Sequence, residues 1–276
     1  MATAGRPRYE KPIRCGKLCL PVRLERFGKL IKAIGLKDER RERGTMANPS
    51  EIKVMTSNAL RSVFGEIVPA FERAHGHKIA VIFDPAQRML KRIAAGETAD
   101  VAISSAPAIE ELANQGVIAA GSHPTLARYG IGLAVRSGAP KPDIGSVEAF
   151  KRVLLDAKSI ACTTEGASGI YFMKLIERLG ITEQINAKAR KRPGGLIGEL
   201  VASGEAELAV QQIPELMAVP GIELLGPLPQ ELQNISVLVA GVFAASKEPQ
   251  AAQALIDFLA TPDAVRVFKA KGFEAG

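Results

Sequence analysis

The stretch VMTSNALRSVFGEIVPAFER, residues 54–73, begins as a short apolar strand and turns to a helical period at Thr56, Ser57 and Asn58. The first turn of a helix carries backbone N–H groups with no internal partner, and a Ser or Asn side chain at the junction caps them. The same N–H groups, backed by the positive end of the helix dipole, also make a seat for an anion. One such junction is an ordinary cap. Several in one chain, aimed at one space, are a binding site.

Outward from that stretch the pattern repeats. β-rich segments stand at 52–57, 78–83, 99–104, 131–136, 159–163, 207–212 and 236–246, and helical periods at 59–74, 86–95, 107–114, 146–156, 169–179, 195–203, 248–260 and 262–270. Strands alternating with helices at this spacing define βαβ units, so the expected fold class is α/β with mostly parallel sheets flanked by helices. RSGAPKPDIGS (136–146) and VPGIELLGPLPQELQN (219–234) read as loops that open and close a second unit. Two lobes with two crossings are expected: 51–130 with 235–276 in the first, 131–234 in the second, and a ligand cleft between them.

Five strand-to-helix junctions can face that cleft. They are Thr56 to Asn58; Asp84 and Pro85, which start a helix presenting Arg88; Ser104 and Ser105, with Pro107 in the first turn after them; TTEGASGIYF (163–172), opening a helix near Ser168; and QQIPEL (211–216). Strands in open α/β sheets collect ligands in the crevice beside their carboxyl ends. Each serine is a cap first, Arg88 has Asp84 four residues before it as a helix partner, and Arg128 and Tyr129 in LARYGIGLAVR serve to end a loop. Gln211 and Gln212 stand out, because consecutive strand residues face opposite sides and a buried amide needs partners.

With 276 residues, 47% of them hydrophobic and 24% charged, the chain can bury cores for two domains, and no apolar run nears the roughly 20 residues of a membrane helix. The net charge of +7 comes from residues 1–50, which hold 13 Lys/Arg against 5 Asp/Glu; the remainder holds 23 against 24, so the body carries no nucleic-acid signature. Residues 1–50 are expected to form a basic, disordered extension, with Met46 in GTMANPSEIKV as an alternative start of translation. No secretory signal is visible there. Cys15 and Cys19 have no second pair at zinc spacing and Cys162 stands alone, which together point to a reducing cytoplasm, or to the periplasm if the true start lies elsewhere. His75, His77 and His123 lack metal spacing, and there is no Walker loop, dinucleotide fingerprint or G-x-S-x-G elbow. No metal and no cofactor is expected.

A strand ending at Ser57, a second ending at Phe83, AGETADVAISSA (95–106), YGIGLAVRSGAPKPDIGSVEAFKRVLLDAKSIA (129–161), ASGIY (167–171) and ELAVQQIPEL (207–216) together resemble the molybdate ABC transporter substrate-binding proteins, of the type II periplasmic binding-protein fold. The likeness runs over about residues 51–276. It implies two lobes that close by a hinge on an oxyanion and grip it with hydroxyls and backbone N–H groups instead of countercharges. It sets Ser57 on the family's first-strand ligand, and Ser168 to Tyr171, with Gly169 among them, on the loop that gives backbone donors from the second lobe. The family's second serine falls near Pro85 and Ala86, which have no hydroxyl, and its late tyrosine has no counterpart in AVQQIPEL. KPDIGSVEAFKRVLLDAKSIA, ASGIY and QQIPELMAVPGIE look like the branch that includes aconitate isomerase.

Two functions follow. A binding protein would close on a small anion, a molybdate-type oxyanion or small polycarboxylate, through Thr56, Ser57, Asn58, Ser104, Ser105, Ser168, Gly169, Tyr171, Gln211 and Gln212, as a monomer, with an ABC permease as partner. An isomerase would need cationic forks for carboxylates, for which Arg88 and Arg128 are the candidates, and a group to move an allylic proton, for which Asp84, Glu165 and Tyr171 are. A cytoplasmic sensor is a third possibility without a sequence feature of its own.

Overall fold

The computed structural model describes residues 50–121 and 123–276, and they lie within one compact unit. The readings of the basic leader, of Met46, and of Cys15 and Cys19 fall outside the described residues. In chain order the first lobe starts with β1 (Glu51–Thr56), α1 (Arg61–His75), β2 (Lys78–Phe83), α2 (Ala86–Ala94), β3 (Val101–Ser105), α3 (Ala106–Asn114) and β4 (Thr125–Tyr129). The second lobe holds β5 (Ile131–Arg136), α4 (Val147–Asp156), β6 (Ile160–Thr163), α5 (Ala167–Arg178), α6 (Thr182–Asn186), β7 (Ala189–Arg192), α7 (Gly198–Ala202), β8 (Leu208–Gln212), α8 (Ile213–Met217) and β9 (Ile222–Pro227). The chain then returns to the first lobe as β10 (Ser236–Val242), α9 (Pro249–Leu259), α10 (Pro262–Ala270) and β11 (Glu274–Ala275).

The strands form two sheets, β11-β4-β10-β3-β1-β2 and β7-β6-β8-β5-β9. Both are mixed, where the alternation of elements implied mostly parallel ones: β1 pairs in parallel with β2 and β3, and β6 with β7 and β8, while the remaining pairings are antiparallel. The returning β10 slots between β3 and β4 and creates two of the antiparallel contacts. VPGIELLGPLPQELQN, expected as loop, contains β9, an edge strand on β5. β7 reads ARKR, with no large apolar residue, so hydrophobic patterning cannot reveal it; charge on an edge strand also discourages pairing with other chains.

Alternation along β1 divides the first lobe's core. Ile52 and Val54 face α1, α9 and α10, packing with Phe64, Phe71, Leu255 and Phe268, while Met55 faces Met89, Ile93, Ile109 and Leu112 of α2 and α3. The second sheet is covered likewise, with Leu133, Phe150, Ile160 and Phe172 on one face and Ile197, Leu200, Val201 and Leu216 on the other. Cys162 is fully buried there, and that burial pushes its thiol up, so it packs as a small apolar residue. Among the described residues no helix is long and apolar enough to cross a membrane.

One side chain stitches the two crossings together. Gln233 Oε1 accepts the Ile131 N–H at 2.8 Å and Gln233 Nε2 donates to the Ile131 carbonyl at 2.9 Å. Between them Gly130 leaves no room for more, since a Cβ there would lie 2.9 Å from the Gln233 amide.

Candidate functional site

The two lobes enclose a cavity of about 60 Å³, and all five junctions reach it. From the first lobe come Ser57 and Asn58 after β1, Pro85 and Ala86 after β2, and Ser104 and Ser105 at the end of β3. From the second come Gly166, Ala167 and Ser168 after β6, and Gln211 and Gln212 of β8. Ser57 Oγ accepts the Ala59 N–H at 3.2 Å and caps the 3₁₀ turn Asn58–Leu60 that leads into α1. Ser105 holds the N-cap position of α3 but makes no cap bond with its side chain, leaving that hydroxyl to the cavity. Helix α5 starts on Gly166, and its first turn lies so near the end of β6 that a Cβ on Gly169 would be 1.9 Å from the Thr163 carbonyl oxygen. Glycine at 169 is therefore a packing requirement of the junction.

Tyr129, Thr163, Gly194, Gly195, Glu215 and Ser236 also line the cavity, none of them singled out as a ligand from the sequence. Tyr129 and Arg128 are neighbours on β4, so when one faces in the other faces out: Tyr129 is 5% exposed and Arg128 lies on the solvent side. A tyrosine thus does stand in the cavity, although it comes from β4 and not from the segment where the resemblance implies one. Glu215 had a faint signal, being an acid inside the apolar run IPELMAV. Thr163 and Ser236 had none beyond their places at a strand end and a strand start.

Other expected residues lie elsewhere. Thr56 is buried and donates to the Ile103 carbonyl at 3.1 Å, which ties β1 to β3. Gly169 sits beneath the cavity wall against Thr163. Arg88 turns away and reaches across the lobes to Glu165 at 2.8 Å, with Asp84 at 3.8 Å, while Asp84 takes Arg92 at 2.9 Å. Tyr171 donates to the Leu232 carbonyl at 3.0 Å and, with Glu165 and Lys174, borders a wider opening of about 290 Å³ that shares Ala86, Ser105 and Ala167 with the cavity. The three proton-transfer candidates and both arginines are therefore absent from the cavity wall. Of the histidines, His75 stacks on Phe71, His77 bonds Ser50 at 2.9 Å and His123 bonds the Ala119 carbonyl at 3.0 Å.

Among the described residues no Lys, Arg or His lines the cavity. Its acid is shifted toward the protonated form: burial pushes the Glu215 carboxyl up to about 8, against a smaller opposing influence of the Gln211 amide. Burial also raises the Tyr129 phenol well above its usual range, helped by Glu215 and opposed by the nearby Ser57 and Ser236 hydroxyls. Positive potential comes instead from the starts of α2, α3 and α5, none of which has a side-chain cap bond on its first turn. Gln211 is held on both sides, accepting the Ile197 N–H at 2.9 Å and donating to the Gly195 carbonyl at 2.7 Å, so it fixes the Gly194–Gly195 wall. Among the described residues Thr163 Oγ1 and Gln212 Oε1 are buried without a partner. Gln212 Nε2 reaches Ser236 Oγ only at 3.4 Å; rotated by half a turn, the amide would accept from Ser236 and offer its N–H groups inward.

Such a wall can hold an anion by dipoles alone. One water-sized site takes roughly 10–15 Å³ by this measure of volume, so the cavity has room for about five heavy atoms, the size of a tetrahedral oxyanion or a carboxylate head.

A family model described as bacterial extracellular solute-binding protein matches residues 52–274. An aconitate isomerase of a Pseudomonas species is 35% identical over 229 residues, 81% of this chain and 87% of that one. The molybdate-binding protein of Azotobacter vinelandii is 29% identical over 244 residues, 82% of this chain and 91% of that one. The solved periplasmic molybdate-binding protein of Azotobacter vinelandii superposes with a TM-score of 0.69 at 19% identity, over 82% of this chain and 99% of that one, and so shares the two-lobed fold.

Proposed function

Since the chain belongs to the bacterial extracellular solute-binding protein family, we propose that it closes its two lobes on a small anion, a tetrahedral oxyanion or the carboxylate head of a small acid. The observation that carries this reading is the cavity itself: three helix starts and a set of hydroxyls converge on a space of about 60 Å³ with no cationic side chain on its wall among the described residues. A neutral, donor-rich wall recognises negative charge through preorganised dipoles and needs no countercharge. Delivery to an ABC permease from a periplasmic address goes with this reading. Thermal unfolding of residues 46–276 with molybdate, tungstate, sulfate, citrate, cis-aconitate and trans-aconitate tests it, because a ligand that binds only the folded chain raises its stability with the logarithm of saturation. At 100 times Kd the gain is about 2.7 kcal/mol. Melting temperatures unmoved by every anion would remove the proposal.

A second reading, isomerisation of a small polycarboxylate, has its own support. Lys174 lines the opening beside the cavity, which offers a cation to a longer ligand whose head occupies the cavity, Glu215 is an acid whose carboxyl is pushed up to about 8, and the relative that is 35% identical is an aconitate isomerase. Proton transfer is most effective from a group whose pKa lies near the working pH. Conversion of cis- to trans-aconitate by the purified chain, lost in Glu215→Gln, would establish it; binding without conversion would leave the receptor.

A further inference from the structure

Glu215 is the one titratable carboxyl on the cavity wall among the described residues, and it is 9% exposed. Among the described residues the elements packed on α8 bring it no cation. Strand β8 and the turn Asn58–Leu60 carry no titratable side chain; β5 ends in Arg136, which donates to the Ala202 carbonyl at 2.9 Å; β9 carries Glu223, bound to Lys141 and the Gly138 N–H. The turn that meets α8 at Gly272 follows Lys271, which pairs with Glu66. What faces Glu215 is the Tyr129 hydroxyl and the Gln211 amide. In a wall of donors, an unpaired carboxylate would repel an incoming anion at short range, whereas a carboxylic acid adds one more donor.

We propose that Glu215 meets the bound anion as a neutral acid, donating its proton in a hydrogen bond, so that the site takes fully ionised oxyanions and carboxylates and lets them go when Glu215 ionises. This rests on the anion-binding reading of the cavity. Below the titration of Glu215 the anion binds a preformed donor. Above it, each binding event draws one proton from solvent onto Glu215, so affinity falls by up to tenfold per pH unit. Glu215 is in this sense the residue that sets the ligand's charge state and the pH range of capture.

The experiment is calorimetric titration of the full chain and of Glu215→Gln with sulfate, molybdate and trans-aconitate, all fully ionised between pH 7 and pH 9.5. For a carboxyl titrating near 8, the unsubstituted protein is expected to lose affinity by about 30-fold between those limits. Its binding heat at pH 9 should depend on the ionisation enthalpy of the buffer, the mark of proton uptake. Glu215→Gln, a neutral donor at every pH, should change by less than about threefold over the same range and show no buffer dependence. Melting curves of both proteins at each pH separate loss of fold from loss of binding. An unsubstituted protein whose affinity is flat to pH 9.5, or a variant that falls in parallel with it, overturns the proposal while leaving the anion site standing. Failure of all three probes to bind either protein at pH 7 instead removes the anion-binding reading, and the role of Glu215 with it.

Discussion

The first lobe faces the cavity with the hydroxyls of Ser57, Ser104 and Ser105, and the second adds amides and an acid, Gln211, Gln212 and Glu215, to its own Thr163 and Ser168 hydroxyls. The two walls differ in what holds them up. Ser57 is set by a local cap bond to Ala59 two residues on, and Ser105 by the β3–α3 turn. Gln211 is set by groups 14 and 16 residues away, Ile197 and Gly195, and Gly169 by direct contact with Thr163. A wall of local caps loses affinity when altered and keeps its fold; a wall whose buried groups are held by distant segments loses both. Fully charged pairs stay outside both walls, in the chain Glu165–Arg88–Asp84–Arg92–Glu97 beside the cavity.

The largest effect that could sharpen this contrast is the pH dependence of stability at Glu215. Its carboxyl titrates near 4.5 in the unfolded chain and near 8 in the fold. Between those values the folded state holds a proton that the unfolded state has lost, so the stabilisation it brings is complete below about 4.5 and gone above about 8. Urea unfolding at pH 5 and pH 8 should show Glu215→Gln gaining on the unsubstituted protein by roughly 4 kcal/mol over that interval. Equal pH slopes would place the acid in a wetter site than the fold implies.

Next comes Gly169→Ala, whose Cβ must displace backbone. It should cost about 3 kcal/mol in chemical denaturation, whereas an alanine at Gly65, where a Cβ meets nothing within 4 Å, should stabilise by up to about 1 kcal/mol because a helix interior gains from it. Gln211→Leu strands the Ile197 N–H and the Gly195 carbonyl and should lower stability by about 2 kcal/mol as well as weaken anion binding. In the first lobe Ser57→Ala should cost only about 1 kcal/mol of stability, from the lost cap, and Ser104→Ala less, while each lowers anion affinity by about tenfold in calorimetry. If Ser104→Ala destabilises as much as Gln211→Leu, the walls are alike and the contrast fails. Arg88→Ala should do least: its pair with Glu165 is half exposed on both sides, worth about 0.5 kcal/mol at most, and a double-mutant cycle with Glu165→Ala at low and high salt would read it.

How legible the molecule was in its sequence follows the same division. Elements with a strong apolar period, β1, α1, β2 and α10, were legible nearly to the residue, because burial on one face dictates which positions are apolar. β7 and β9 were not, since edge strands owe their place to a neighbour's backbone hydrogen bonds, which leave no pattern in side chains, and β4 was hidden because its partners β10 and β11 arrive only from the end of the chain. The mixed sheets were hidden too, as nothing local tells β10 to insert between β3 and β4.

By itself the sequence determined the α/β class, the two-lobed division and the five polar junctions, because caps, turns and amphipathic periods are local chemistry written in consecutive residues. The tertiary structure alone decided that those five junctions meet, that Tyr129 turns in while Arg128 turns out, that Arg88 is spent on Glu165, and that Glu215 loses its charge. Facing, burial and ionisation depend on which distant segments surround a side chain, and only the assembled fold brings those segments together.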